Sequence, residues 1–143
     1  MLERLTFDSE AILAFYLGEE GGEFVRDSLG KVQNGDAEGY INILNLTEIY
    51  YILFRVDPEL AEEKQRNLRL YGLKVIPVED DDLWREAARI KGRYALSLAD
   101  AFAVATAKSF ESKLVVGSDK EFSEINIQLL KIREIDSAQI GRK

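Results

Sequence analysis

Four carboxylates stand in apolar surroundings. Asp8 follows Leu5-Thr6-Phe7, and Glu48 lies within the run from Leu44 to Phe54. Asp100 lies within Leu96–Ala105, and Asp119 follows Leu114-Val115-Val116-Gly117-Ser118. An acid in such a segment is unfavourable unless it is paired, capped or bound to a metal. Gathered at one site, the four would repel strongly: at an effective dielectric of ~20, two unit charges ~4 Å apart interact by about 4 kcal/mol. Divalent cations would relieve that repulsion.

The chain has no cysteine and no histidine. Disulfide scaffolds, thiol nucleophiles, Cys/His zinc sites and triads with a histidine base are therefore excluded. Carboxylates, Lys, Arg, Ser, Thr and Tyr remain. That donor set suits hard, oxygen-seeking ions such as Mg²⁺ or Mn²⁺.

Each acid also has a structural explanation at a helix amino terminus. Asp8 is a candidate N-cap, and Asp119 is another. Asn45-x-x-Glu48 and Ser97-x-x-Asp100 both have the form of a capping box. Caps need not share one rim, however, and a capping carboxylate is free to serve as a ligand as well.

Where the acids lie depends on the elements that carry them. Strands are expected at Leu2–Phe7, Gly39–Leu44, Leu73–Val78, Lys113–Val116 and Gln128–Ile132. Helices are expected at Ser9–Leu17, Glu23–Val32, Asn45–Arg55, Asp57–Leu70, Asp81–Arg93 and Ser97–Phe110, with a short turn at Lys120–Ser123. This alternation argues for an α/β fold in three layers, a parallel sheet covered by helices on both faces. Ligands of such sheets bind beyond the carboxyl ends of the strands. Asp8 and Asp119 directly follow strands. Glu48 opens the helix after a strand. Asp100 lies in the first turn of a helix whose amino end returns to the same edge if it packs antiparallel to the strand it feeds. All four map to one rim.

The remaining features read as surface or packing. Glu79-Asp80-Asp81-Asp82 complements the dipole of the helix it opens. Arg85, Arg89 and Arg93 recur at helical spacing, as a solvated face or a phosphate-contacting stripe. Lys120 is placed to steer a phosphate or to cover surface. Tyr50, Tyr51 and Phe54 are expected in the core, with a dimer or partner surface as the alternative. At 143 residues and 46% hydrophobic, the chain reads as a single domain, residues 1–143. With no apolar run of bilayer length and no leader, it is expected to be cytoplasmic, without a membrane partner. The net charge of −7 disfavours broad, non-specific nucleic-acid binding but leaves room for a local basic groove or a basic peptide partner. Abundant Glu and Lys with a single Met hint at a hot-growing source.

At these residues the chain resembles the PIN-domain nucleases, particularly the compact VapC-like toxins of prokaryotic toxin–antitoxin pairs. The resemblance rests on the opening strand ending in Asp8-Ser9, on Leu46-Thr47-Glu48, on Leu96-Ser97-Leu98-Ala99-Asp100-Ala101, and on Val115-Val116-Gly117-Ser118-Asp119 with Phe122. It implies a five-stranded parallel sheet and a Mg²⁺- or Mn²⁺-dependent ribonuclease whose quartet is Asp8, Glu48, Asp100 and Asp119. It also implies an RNA substrate, a cognate antitoxin and a homodimer. The family usually has Thr or Ser two residues before the last acid, where this chain has Gly117; Ser118 or Ser9 would have to supply the hydroxyl.

On this view Asp8 and Asp100 hold the principal cation, Glu48 orients water, and Asp119 helps hold a second ion. Two other classes compete. One is a non-catalytic PIN-like module that binds RNA or protein. The other is an aspartate-phosphorylated receiver, which Asp8-Ser9-Glu10 and the placement of Glu48 fit poorly.

Overall fold

The structure is a computed structural model that describes residues 2–117, 122 and 124–133. The chain runs β1 (Glu3–Phe7), α1 (Ser9–Tyr16), α2 (Gly22–Gln33), β2 (Ala37–Asn42), α3 (Ile43–Val56) and α4 (Pro58–Tyr71). It continues through β3 (Lys74–Ile76), α5 (Asp81–Arg93), α6 (Leu98–Ser109), β4 (Lys113–Val116) and β5 (Leu129–Lys131). The five strands form one sheet in the order β3-β2-β1-β4-β5, and every pair is parallel. This is the α/β architecture that the alternation predicts. The turn expected at Lys120–Ser123 lies largely outside the described residues.

Side chains alternate across the strands, so the core divides into two halves. Leu5, Phe7, Ile41 and Val115 face one side and pack with α1 to α4. Leu114 and Val116 face the other and pack with α5 and α6. The helices thus form two layers around a sheet that is buried on both faces, as a parallel sheet requires.

The Gly39–Leu44 strand is corrected in register. β2 begins at Ala37 and ends at Asn42, and α3 begins at Ile43 rather than Asn45. The cause is Asn42, whose side chain accepts a hydrogen bond from the Leu44 backbone N–H at 2.8 Å and so starts the helix early. Its Nδ2 also donates to Thr106 Oγ1 at 2.9 Å, which ties β2 to α6 inside the core. Asn45 and Glu48 therefore lie within α3, and they form no capping box.

Two further expectations are settled by exposure. Tyr51 and Phe54 are not core residues: they are 44% and 49% exposed. Tyr50 is half-buried, and its hydroxyl donates to Glu62 at 2.6 Å. Helix α3 presents this edge outward because Leu46, Ile49 and Leu53 already fill its inner face. The arginines of α5 are exposed as a solvated stripe, with Arg85 stacked over Trp84. Asp80 caps α5 through the Asp82 N–H, as its composition suggests. Among the described residues, no helix is long and apolar enough to cross a membrane.

Replacing Asn42 by Ala removes both a helix cap and a buried side-chain hydrogen bond. Urea unfolding of that variant should show a loss of about 2 kcal/mol. The control Leu70→Ala, at a site 76% exposed, should change stability by less than about 0.5 kcal/mol.

Candidate metal-dependent nuclease site

Strand β1 is central, so the residue that follows it emerges in the middle of the carboxyl rim. That residue is Asp8. Its backbone N–H donates to Val115 O at 3.0 Å, extending the β1–β4 pairing by one step. Its carboxylate accepts from the Ala11 N–H at 2.8 Å and caps α1. Asp8 is 1% exposed. Burial pushes its carboxyl well above the usual range, against the opposing pull of the Ala11 N–H; Asp100, Glu10 and Glu48 push it further in the same direction. Negative charges on α1, α3 and α6 therefore converge on one buried acid.

Asp100 arrives by its own cap. Ser97 Oγ accepts from the Asp100 N–H at 3.1 Å, which starts α6 and leaves the Asp100 side chain in its first turn. Glu48 lies in the second turn of α3 and is half-buried. Asp100 and Glu48 line a cleft of about 540 Å³ together with Ser9, Glu10, Ser97 and Arg133. Three of the four sequence-derived acids thus meet at one rim. Asp119 lies outside the described residues.

Asn45 is a site residue that sequence reasoning mistook for a cap. It is fully buried and joins the three elements that carry the acids. Its Nδ2 donates to Ser9 Oγ at 3.1 Å and to Ala99 O at 3.2 Å, and Ser9 Oγ donates to Asn45 O at 3.3 Å. Its neighbours in the bonding are therefore the residues directly after Asp8 and directly before Asp100. The signal available in the sequence was an amide in an otherwise apolar helical stretch. Glu10 and Arg133 were also missed, since nothing in the local pattern separates them from ordinary surface charges.

The fit of this rim to a divalent cation rests on its chemistry. The donors are all oxygen, as Mg²⁺ and Mn²⁺ prefer. Among the described residues, the charge of the buried Asp8 carboxylate is disfavoured by burial and by Asp100, Glu10 and Glu48, and favoured by the Ala11 N–H. Asn45 Oδ1 is buried with no hydrogen-bond partner among the described residues, and an orphaned acceptor of this kind asks for a water or ligand. Among the described residues no three acids are close enough to form a finished metal cage. A cation held at this rim would have Asp8, Glu48 and Asp100 as its candidate oxygen donors.

A doubly covered parallel sheet with acids at its central carboxyl edge defines a recognisable class. The PIN-domain family model matches residues 5–128, and the chain belongs to the PIN-domain family of nucleases. Among curated proteins, none matches the sequence closely enough to count as a relative. Solved structures share the fold. The DNA-bound VapBC complex from Salmonella typhimurium is 18% identical, with a TM-score of 0.69 over 92% of this chain and 98% of that one. VapC20 from Mycobacterium tuberculosis, described as a sarcin-ricin loop cleaving toxin, is 16% identical, with a TM-score of 0.66 over 89% and 98%. PAE2754 from Pyrobaculum aerophilum is 21% identical, with a TM-score of 0.61 over 99% and 97%.

The raised proton affinity of Asp8 has a defined consequence for stability. Between the unfolded and folded pKa values, the folded chain holds a proton that the unfolded chain has released. Stability then falls as pH rises through that window, and stays lower above it. In EDTA, the parent's melting temperature should fall relative to that of Asp8→Asn as pH rises above about 4. Asp8→Asn keeps a capping side chain and should flatten this part of the curve, standing about 1 kcal/mol above the parent at pH 7. Parallel pH series of the two proteins by scanning calorimetry check this.

Proposed function

We propose that the protein is a metal-dependent endoribonuclease, the toxin of a toxin–antitoxin pair, that hydrolyses RNA phosphodiester bonds with Mg²⁺ or Mn²⁺. One observation carries the reading: Asp8, Glu48 and Asp100 come from three elements far apart in sequence, yet they bear on one another at a single rim. Stability alone gives no reason to gather them. Catalysis does, because a phosphoryl-transfer site needs concentrated negative charge to hold its cations. A divalent ion held by these carboxylates would supply Lewis-acid polarisation of a phosphoryl oxygen and activation of water.

The chain's own residues supply the rest. Asp8 is immobilised by its cap and by the β1–β4 pairing, so it offers a fixed anchor for the cation. Asp100 faces it from the opening turn of α6. Glu48 is half-exposed in the cleft and is the acid best placed to orient water and accept a proton; without histidine, proton transfer falls to a carboxylate or to solvent. Asp119 completes the proposed quartet, all four of which serve as metal ligands and catalytic acids. The solved structures of similar fold include a toxin–antitoxin complex from Klebsiella pneumoniae and VapBC2 from Rickettsia felis bound to a promoter DNA fragment. They support an antitoxin partner here, and we extend the proposal to a homodimer in the cytoplasm.

The competing reading is a PIN-like module that binds RNA or protein without cutting. What favours it is the lack, among the described residues, of three acids already within metal-binding distance of one another.

Asp100→Asn separates the two. The cap of α6 uses the Asp100 backbone N–H, which the substitution leaves in place, so the fold should persist. Mg²⁺- or Mn²⁺-dependent cleavage of an RNA panel should fall at least ~100-fold, and EDTA should abolish cleavage by the parent protein. Chelator-resistant cleavage that survives the substitution would sink the proposal. So would a purified parent protein that cuts no RNA with either ion.

A further inference from the structure

Beyond the acid quartet, the rim holds a second built feature. Glu10, in the first turn of α1, lays its carboxylate over Gly117, the residue after β4. A Cβ placed on Gly117 would stand 2.7 Å from both Oε1 and Oε2 of Glu10. Any side chain there must displace Glu10, so the bare backbone is the seat of this carboxylate. Arg133, two residues beyond β5, pairs through Nη1 with Glu10 and through Nη2 with Glu19 Oε1 at 3.1 Å. Its side chain is only 21% exposed. Glu10 and Glu19 lie near opposite ends of α1, and between them they hold the guanidinium in the cleft that Glu48 and Asp100 line.

This arrangement is more than a surface ion pair requires. Fixing a long arginine sacrifices rotamer freedom and hydration. Here two carboxylates share it, and the position beneath one of them carries no side chain. Neither carboxylate belongs to the proposed quartet. A guanidinium has five N–H donors in one plane, so the two single contacts made among the described residues leave donors over, in a geometry that matches phosphate oxygens. Paired with two carboxylates, Arg133 does not neutralise the acidic rim; what it offers an RNA phosphate is a set of N–H donors fixed in direction on the wall of the same cleft.

We propose that Arg133 grips a phosphate of the bound RNA, with Glu10 and Glu19 as its positioning residues and Gly117 as the seat that makes the grip possible. The inference deepens the nuclease reading above and rests on it for the identity of the ligand.

Two measurements test it. In steady-state cleavage with Mg²⁺, Arg133→Ala should raise KM about tenfold while kcat changes less than about threefold, as expected when a contact made equally in the ground and transition states is lost. Arg133→Lys keeps the charge but not the planar fork, and it should recover part of that loss. Gly117→Ala leaves Arg133 intact but unseats Glu10, and it should raise KM in the same direction. Separately, the affinity for a fluorescein-labelled single-stranded RNA is followed by anisotropy in EDTA across a KCl series. The slope of log affinity against log salt should fall by about 0.7 in Arg133→Ala, the value for one lost phosphate contact on a single strand. Thermal melting of each variant separates these effects from loss of fold.

An unchanged KM together with an unchanged slope overturns the assignment, as does a parent protein that binds no RNA at low salt. If the parent binds RNA but cuts none, the nuclease reading fails, while the salt slope still decides whether Arg133 meets a phosphate.

Discussion

The structure turns on a carboxylate buried at the end of its central strand. Among the described residues, the Asp8 carboxylate accepts a hydrogen bond from the Ala11 N–H, and the charges that bear on it from Asp100, Glu10 and Glu48 are all negative. A protein gains nothing in stability from such a placement, and the surrounding fold must compensate. It does so with the pairing of Asp8 to Val115, the apolar packing of Phe7 and Ile12, and a helix that begins on the acid itself. Strain of this kind, held by an over-determined scaffold, is characteristic of functional sites.

The same logic explains the buried amides. Asn42 starts α3 and anchors α6 through Thr106, while Asn45 joins Ser9 to Ala99. Each bond ties the amino end of one acid-bearing helix to another element. Polar groups in so apolar a core are disfavoured unless they are paired. Once paired, they hold three helix starts in a single arrangement, and α1, α3 and α6 are the helices that bring Asp8, Glu48 and Asp100 together. One acceptor, Asn45 Oδ1, is left over among the described residues, and it lies between the helices that meet at the rim.

The rim is not uniformly acidic. Arg133 brings a guanidinium into the cleft, and the Glu10 carboxylate that holds it lies over Gly117. That glycine leaves no gap, because the Glu10 carboxylate fills the place a side chain would take. A larger residue at position 117 would require the Glu10 carboxylate to shift from the place it holds beside Arg133.

Much of the architecture was legible in one dimension. Alternating apolar runs and helical periods sufficed for the parallel α/β class and for most elements, because period-2 and period-3.6 burial leave separable patterns. The capping signals of Asp8 and Ser97 were local and were read correctly. The start of α3 was not, since Asn42 and Asn45 are both plausible caps and only the pairing of β2 with β3 up to Asn42↔Ile76 decides between them. The exposure of Tyr51 and Phe54 was likewise invisible, because an aromatic residue on an apolar helix looks like core until its neighbours have filled the inner face. Asp8, Glu48 and Asp100 could be assigned to one edge from the sequence, since strand direction and helix order follow from chain connectivity. That Glu10 lies on Gly117 and reaches Arg133 is a matter of the folded chain alone. Contacts across more than a hundred residues depend on side-chain direction and strand register, which no local pattern encodes.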